Sequence, residues 1–218
     1  MKKGDSLILM DQNGLNFKSV IEYVSPQKVI VSLKEPVVFS KKQQTPEIVI
    51  CQSIIKAHAM DHVIQKTSEL GADTIIPFCS ERTVVRLDDS GRRKRAERWR
   101  RISWNSAKQC RRHVPARIDP VTSFDNLLEQ FMDEKNVLKI IFWEHEDSVH
   151  LKTVLRSVPE KIVGMIGPEG GFTDSEVEAA RKAGFVTVSL GERILRSETA
   201  ATVFAAIVQY ELGGCYAG

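Results

Sequence analysis

A chain of 218 residues with 42% hydrophobic and 27% charged side chains, 13 Gly and 8 Pro, is long and apolar enough for one or two globular domains. That composition excludes collagen-like, disordered and mini-protein classes. The net charge is only +3, but it is unevenly distributed.

The chain up to residue 45 reads as a small β module. Ser6 to Met10 is a strand, Asn13-Gly14 supplies the positive φ angles of a hairpin turn, and Lys18 to Val24 and Lys28 to Leu33 alternate as strands do. The polar run from Lys41 to Pro46 reads as a linker, dividing the sequence into a module at 1–45 and a domain at 46–218. Beyond it, strands alternate with helices. Ile48 to Cys51 is a strand; Met60, Val63, Ile64, Thr67 and Leu70 follow at helical spacing and stop at Gly71; Thr74 to Phe78 is the next strand. Leu138 to Trp143, Lys161 to Ile166 and Val186 to Leu190 are continuous apolar runs, as expected of a parallel sheet buried on both faces. The fold class is α/β.

Between Arg92 and Arg117 eleven Lys or Arg stand against the single acid Glu97, a net +10 that leaves −7 for the rest of the chain. Trp99, Ile102, Ser103, Ala107 and Cys110 at three- and four-residue steps make this an amphipathic helix with its cations outside. Such density in an otherwise acidic chain favours a polyanion partner over a merely solvated face.

No apolar run approaches the roughly 18 residues of a membrane span, and the opening residues lack a secretory pattern. Cys51, Cys79, Cys110 and Cys215 contain no C-x-x-C pair, and His58, His62 and His113 have no metal-ligand pattern. The expectation is a cytoplasmic protein with no membrane contact and no metal.

The richest chemistry lies near the C-terminus. From Gly164 to Thr173 a strand ends in a glycine-rich turn, and Thr173 with Glu176 forms a capping box opening a helix from Asp174 to Ala183, closed by Gly184. The turn has neither the Gly-Lys-Ser/Thr of a P-loop nor G-x-G-x-x-G, and it comes late in the chain rather than after a first strand. Nucleotide hydrolysis and ordinary dinucleotide binding are unsupported. A second loop, Ser189-Leu190-Gly191-Glu192-Arg193-Ile194-Leu195-Arg196, places an apolar pair beside an arginine and leads into a helix from Ser197 through Glu211 to Gly213-Gly214. An apolar pair in a loop suits a pocket wall better than a solvent face.

These two motifs, Ile166 to Phe172 and Ser189 to Ala200, resemble those of the RsmE family of 16S ribosomal RNA (uracil-N3)-methyltransferases, in the SPOUT superfamily. Lys66 to Gly71, Pro77 with Ser80-Glu81-Arg82, Arg98-Trp99, and Gln109 with Arg112 and Pro115 agree with it; the likeness extends from about Lys56 to Gly213. The resemblance implies a C-terminal trefoil knot holding S-adenosylmethionine, a homodimer, and an N-terminal PUA-like RNA-binding module. Family members carry further residues ahead of the Gly-Asp seen here as Gly4-Asp5, so the module is expected to be incomplete. By position, the resemblance assigns the cofactor to Ile166, Gly167, Gly171, Leu190, Gly191, Ile194, Leu195 and Arg196. Arg196 is the first candidate to stabilise the uracil anion, and Glu198 or Glu169 could accept its N3 proton; a first-turn helix charge and a turn residue are equally good readings of those acids. RNA contact falls to Arg82, Arg98, Arg101, Arg111 and Arg112. The substrate would be 16S rRNA or the small subunit. Other readings are a SPOUT enzyme acting on another RNA, such as a tRNA ribose, and a non-catalytic RNA-binding platform.

Overall fold

The computed structural model describes residues 1–11, 15–38, 45–85 and 87–212. The Asn13-Gly14 turn, most of the linker at 41–46 and the Gly213-Gly214 helix end lie outside them. Strands β1 (Ser6–Met10), β2 (Asn16–Val24) and β3 (Val29–Val37) form an antiparallel sheet in that order.

The rest is a seven-stranded parallel sheet. Its strands are β4 (Glu47–Ser53), β5 (Thr74–Cys79), β6 (Arg117–Ile118), β7 (Thr122–Ser123), β8 (Val137–Phe142), β9 (Lys161–Ile166) and β10 (Val186–Val188). Their spatial order is β10-β8-β9-β4-β5-β6, with β7 also on β5. Every pairing in it is parallel.

Alternation along the buried strands sends side chains to two cores. Ile48 and Ile50 of β4 and Ile162 and Ile166 of β9 join one, whereas Val49, Cys51, Val163 and Met165 join the other. The first core is covered by α1 (Ala57–Glu69), α2 (Asp89–Gln109) and α6 (Ser197–Leu212), which contribute Met60, Val63, Trp99, Phe204 and Val208. The second is covered by α3 (Phe124–Met132) and α5 (Asp174–Lys182), through Leu127, Phe131, Val177 and Ala180. A one-turn helix, α4 (Leu151–Val154), follows β8.

Local signals account for the ends of these elements. The Thr173 and Glu176 capping box of α5 is formed, and Gly184 takes φ +86° just past its end. Asp88 caps α2 by accepting from the Gly91 amide at 2.8 Å. The last predicted strand is shorter than expected: Ser189 forms only an isolated bridge to His150, and Leu190 already belongs to the loop. Helix α3 was not anticipated, although Phe124, Leu127, Leu128 and Phe131 keep helical spacing behind a Ser123 cap.

Candidate active site

In a parallel sheet the strand carboxyl ends all point one way, so the loops leaving β4, β8, β9 and β10 converge. They enclose a cavity of about 620 Å³, within the usual range for a small-molecule site. Ile166, Gly167, Glu169 and Gly171 form one wall, and Leu190, Gly191, Ile194, Leu195 and Arg196 another. Glu198 and Ser197 close the base of the second wall at the start of α6, so every cofactor and catalytic candidate from the sequence meets in one place.

The structure adds residues that the motifs did not include: Lys56 from the β4 exit, and Phe142, Trp143 and Glu144 from the β8 exit. The signal for Glu144 was available, since an acidic run, Glu144-His145-Glu146-Asp147, directly follows a buried strand. Nothing local pointed to Lys56, which joins only through sheet order.

Glycine is used where backbone or carboxylate comes close. Gly171 has φ +68°, and a Cβ there would sit 2.9 Å from Glu144 Oε1. Gly191 has φ +118°, and a Cβ there would meet nothing within 4 Å, so that backbone borders open space in the cavity wall. Its conformation is held by Ser189, whose Oγ accepts from the Gly191 amide and donates to its carbonyl, both at 3.1 Å.

The glycine loop is braced from outside. Arg82 donates to the carbonyls of Gly170 at 2.8 Å and Phe172 at 3.4 Å, and Glu176 accepts from the Glu81 amide at 2.9 Å. Glu169 accepts from the Lys56 amide at 3.3 Å, placing a carboxylate at the positive N-terminus of α1. Among the described residues no three acids, histidines or cysteines are grouped to hold a metal ion.

Glu146 fixes the loop after β8. Its side chain, 8% exposed, accepts from Ser148 Oγ and Thr187 Oγ1 at 2.6 Å each and from the amides of Ser148 and Val149 at 3.1 Å. Those bonds, the Ser148 and Thr187 hydroxyls foremost, hold its carboxyl at about 2 against an ordinary 4.5, with burial opposing. A depressed folded value contributes stability above the unfolded value, and that contribution is lost as pH falls from 4.5 through 2. Glu146→Gln is expected to cost up to about 3 kcal/mol at pH 7 and almost nothing below pH 2. Equal melting of variant and wild type at pH 7 would contradict this.

The basic candidates separate. Arg98 is paired with Asp61 of α1, Nε to both carboxylate oxygens at 3.1 and 3.0 Å and Nη2 at 2.6 Å. Arg112 points inward, donating to the Ser68 and Ala72 carbonyls at 2.8 and 2.7 Å and thereby closing the turn between α1 and β5. Arg101 is exposed on α2, and Arg111 is exposed just beyond it, with a left-handed φ of 61°.

A sequence model of the RNA methyltransferase domain family matches residues 41–209. A ribosomal RNA small subunit methyltransferase E of Bacillus subtilis is 33% identical over 97% of this chain and 84% of its own length. The chain belongs to the RsmE family. A second RsmE, from Mesomycoplasma hyopneumoniae, is 31% identical over 91% of this chain and 83% of its own length. Among solved structures, an RsmE from Neisseria gonorrhoeae bound to S-adenosyl methionine superposes with a TM-score of 0.82 at 28% identity, over 96% of this chain and 84% of that one. A probable rRNA methyltransferase from Porphyromonas gingivalis gives 0.83 at 29% identity, over 99% and 88%.

Proposed function

We propose that this RsmE-family protein transfers a methyl group from S-adenosylmethionine to N3 of a uridine in 16S ribosomal RNA. The observation that carries the reading is the convergence of the 166–172 and 189–197 loops around one cavity at the sheet's carboxyl end. The residues present fit the cofactor. Exposed loop backbone at Gly191 and apolar Ile166, Leu190, Ile194 and Leu195 suit an adenosine, Glu144, Glu169, Glu192 and Glu198 suit a sulfonium cation, and Lys56 and Arg193 suit a carboxylate.

When bound, the sulfonium supplies an activated methyl for in-line displacement, so the chain must chiefly orient the base and ionise it. Uracil N3 is a poor nucleophile until its proton leaves. Arg196 stabilises the anion through O2 or O4, and Glu198 is the better placed acceptor of the proton, because Glu169 is drawn to the α1 terminus.

The finer architecture is part of the same proposal: a trefoil knot formed by the C-terminal loops and α6, which packs back on β4 and β9; a PUA-like β module over residues 1–45; and a homodimer, with Ile194 exposed at the site. A ribosomal RNA substrate puts the enzyme in the cytoplasm. No described helix is long and apolar enough to cross a membrane.

Mass spectrometry of 16S rRNA from a deletion strain is expected to show one N3-methyluridine missing; unchanged uridine methylation would overturn the assignment. Loss of a tRNA ribose methyl instead would move the enzyme to another RNA. A protein that binds RNA but gives no heat with S-adenosylmethionine would be a platform, not an enzyme.

RNA contact is assigned to the exposed cations of α2 and to Arg111. Arg101→Glu is expected to weaken RNA binding about tenfold at low salt and to flatten its salt dependence by about one ion or more. Arg98→Glu additionally sets a carboxylate against Asp61 and lowers the melting temperature. An unchanged salt slope for Arg101→Glu would return α2 to an ordinary solvated face.

A further inference from the structure

At the carboxyl end of β4, under the cavity, Gln52 is completely buried without lining the cavity itself. Its Nε2 donates to Ser197 Oγ at 2.9 Å and to the Ser53 carbonyl at 2.9 Å, while Ser197 Oγ donates to the Gly167 carbonyl at 2.6 Å. A hydroxyl has one proton. Because that proton is committed to Gly167, the group facing Ser197 Oγ must be a donor, which turns the Gln52 amide nitrogen toward it. Among the described residues Gln52 Oε1 is thereby left buried without a hydrogen-bond partner, a costly arrangement that stability alone does not explain.

What the relay joins is informative. Gly167 belongs to the first wall of the cavity, and Ser197 begins the helix that ends the second wall, directly after Arg196. We infer that Gln52 is a positioning residue that, through Ser197, locks the two walls of the cofactor cavity together and so sets the direction of Arg196. The inference rests on the proposed methyltransferase function and deepens it. The relay holds the Gly167 carbonyl to Ser197, and it pins the first turn of α6 against β9. Gln52 itself touches neither cofactor nor RNA.

The test uses Gln52→Met, which keeps the shape of the side chain while deleting both the donor and the unpaired acceptor. Methionine leaves the Ser53 carbonyl and Ser197 Oγ short of a donor but also removes the unpaired Oε1 and fills the same volume, so the melting temperature is expected to shift by only a few degrees. Cofactor affinity by calorimetry is nonetheless expected to fall about tenfold, and the single-turnover rate at saturating S-adenosylmethionine to fall by a similar factor, as Arg196 loses its aim. Ser197→Ala is expected to do the same, and Ser197→Thr, which retains the hydroxyl, to restore both. RNA affinity should not move in any of them.

Gln52→Met with wild-type affinity and rate would overturn the inference. So would a loss of affinity that only tracks a loss of melting temperature. A wild-type protein that does not bind S-adenosylmethionine would instead overturn the proposed function, which keeps the two failures apart.

Discussion

Arg196→Ala is expected to slow methyl transfer by about 100- to 1,000-fold, the usual effect of removing one preorganised donor from a developing anion, while leaving cofactor affinity largely intact. The Arg196 carbonyl accepts from the Ala200 amide at 2.8 Å, so this residue is the N-cap of α6. A cation at a helix N-terminus opposes the helix dipole by about 0.3–1 kcal/mol, and the Arg196 side chain is exposed. Stability therefore does not account for an arginine there, and the variant should melt at or slightly above the wild-type temperature. Arg196→Lys should recover only part of the rate, because an ammonium is a point charge without the planar fork that can aim two donors at a carbonyl oxygen, O2 or O4, while leaving the N3 lone pair free. Single-turnover assays with saturating cofactor provide the measurement. Wild-type turnover in Arg196→Ala would remove this residue from the mechanism.

A large loss of stability at every pH is expected from a position with no chemistry. Gly164 lies in the middle of β9, opposite Ile50 of β4 on one side and Ile140 of β8 on the other. A Cβ there would lie 2.1 Å from Cε1 of Phe204, which crosses it from α6, is fully buried and packs edge-on against Phe142 at 5.2 Å. Neither flanking strand can move aside, so Gly164→Ala must displace α6 or distort the Phe204 ring. The expected cost is about 3 kcal/mol, at the upper end for overpacking, which corresponds to a melting temperature lower by about 6–12 °C. Gly164→Ala with Phe204→Leu should be less destabilised than the sum of the single changes, since each alters the same contact. Additive losses in a thermal melt would show that the two residues do not share it.

These two positions illustrate different kinds of legibility. Arg196 drew notice from its sequence neighbours, as an arginine after an apolar pair in a loop between strand and helix, and took its role from the resemblance of that motif to the RsmE family. The importance of Gly164 could not be read that way, because a glycine in an apolar run has several uses, and only the crossing of α6 over β9 identifies this one. Among the basic residues, sequence placed all five candidate arginines together as one RNA-facing set. Three of them, Arg82, Arg98 and Arg112, are also bonded within the fold, because the glycine loop, α1 and the turn before β5 bring carbonyls and Asp61 within reach of their guanidinium groups.

By itself the sequence determined the longer strands, helices α1, α2, α5 and α6, the Thr173 capping box, the end of α5 at Gly184 and the two glycine-bearing loops. Those features are set by interactions spanning a few residues, which periodicity and capping rules read directly. Tertiary structure alone decided that the loops face each other, that Lys56 and Glu144 join them, and that Gln52 reaches Ser197 across 145 residues. The reason is sheet order: β4 lies between β5 and β9, and β8 between β9 and β10. Such pairings between distant segments are chosen by how apolar faces are buried together, and no local pattern in the chain records them.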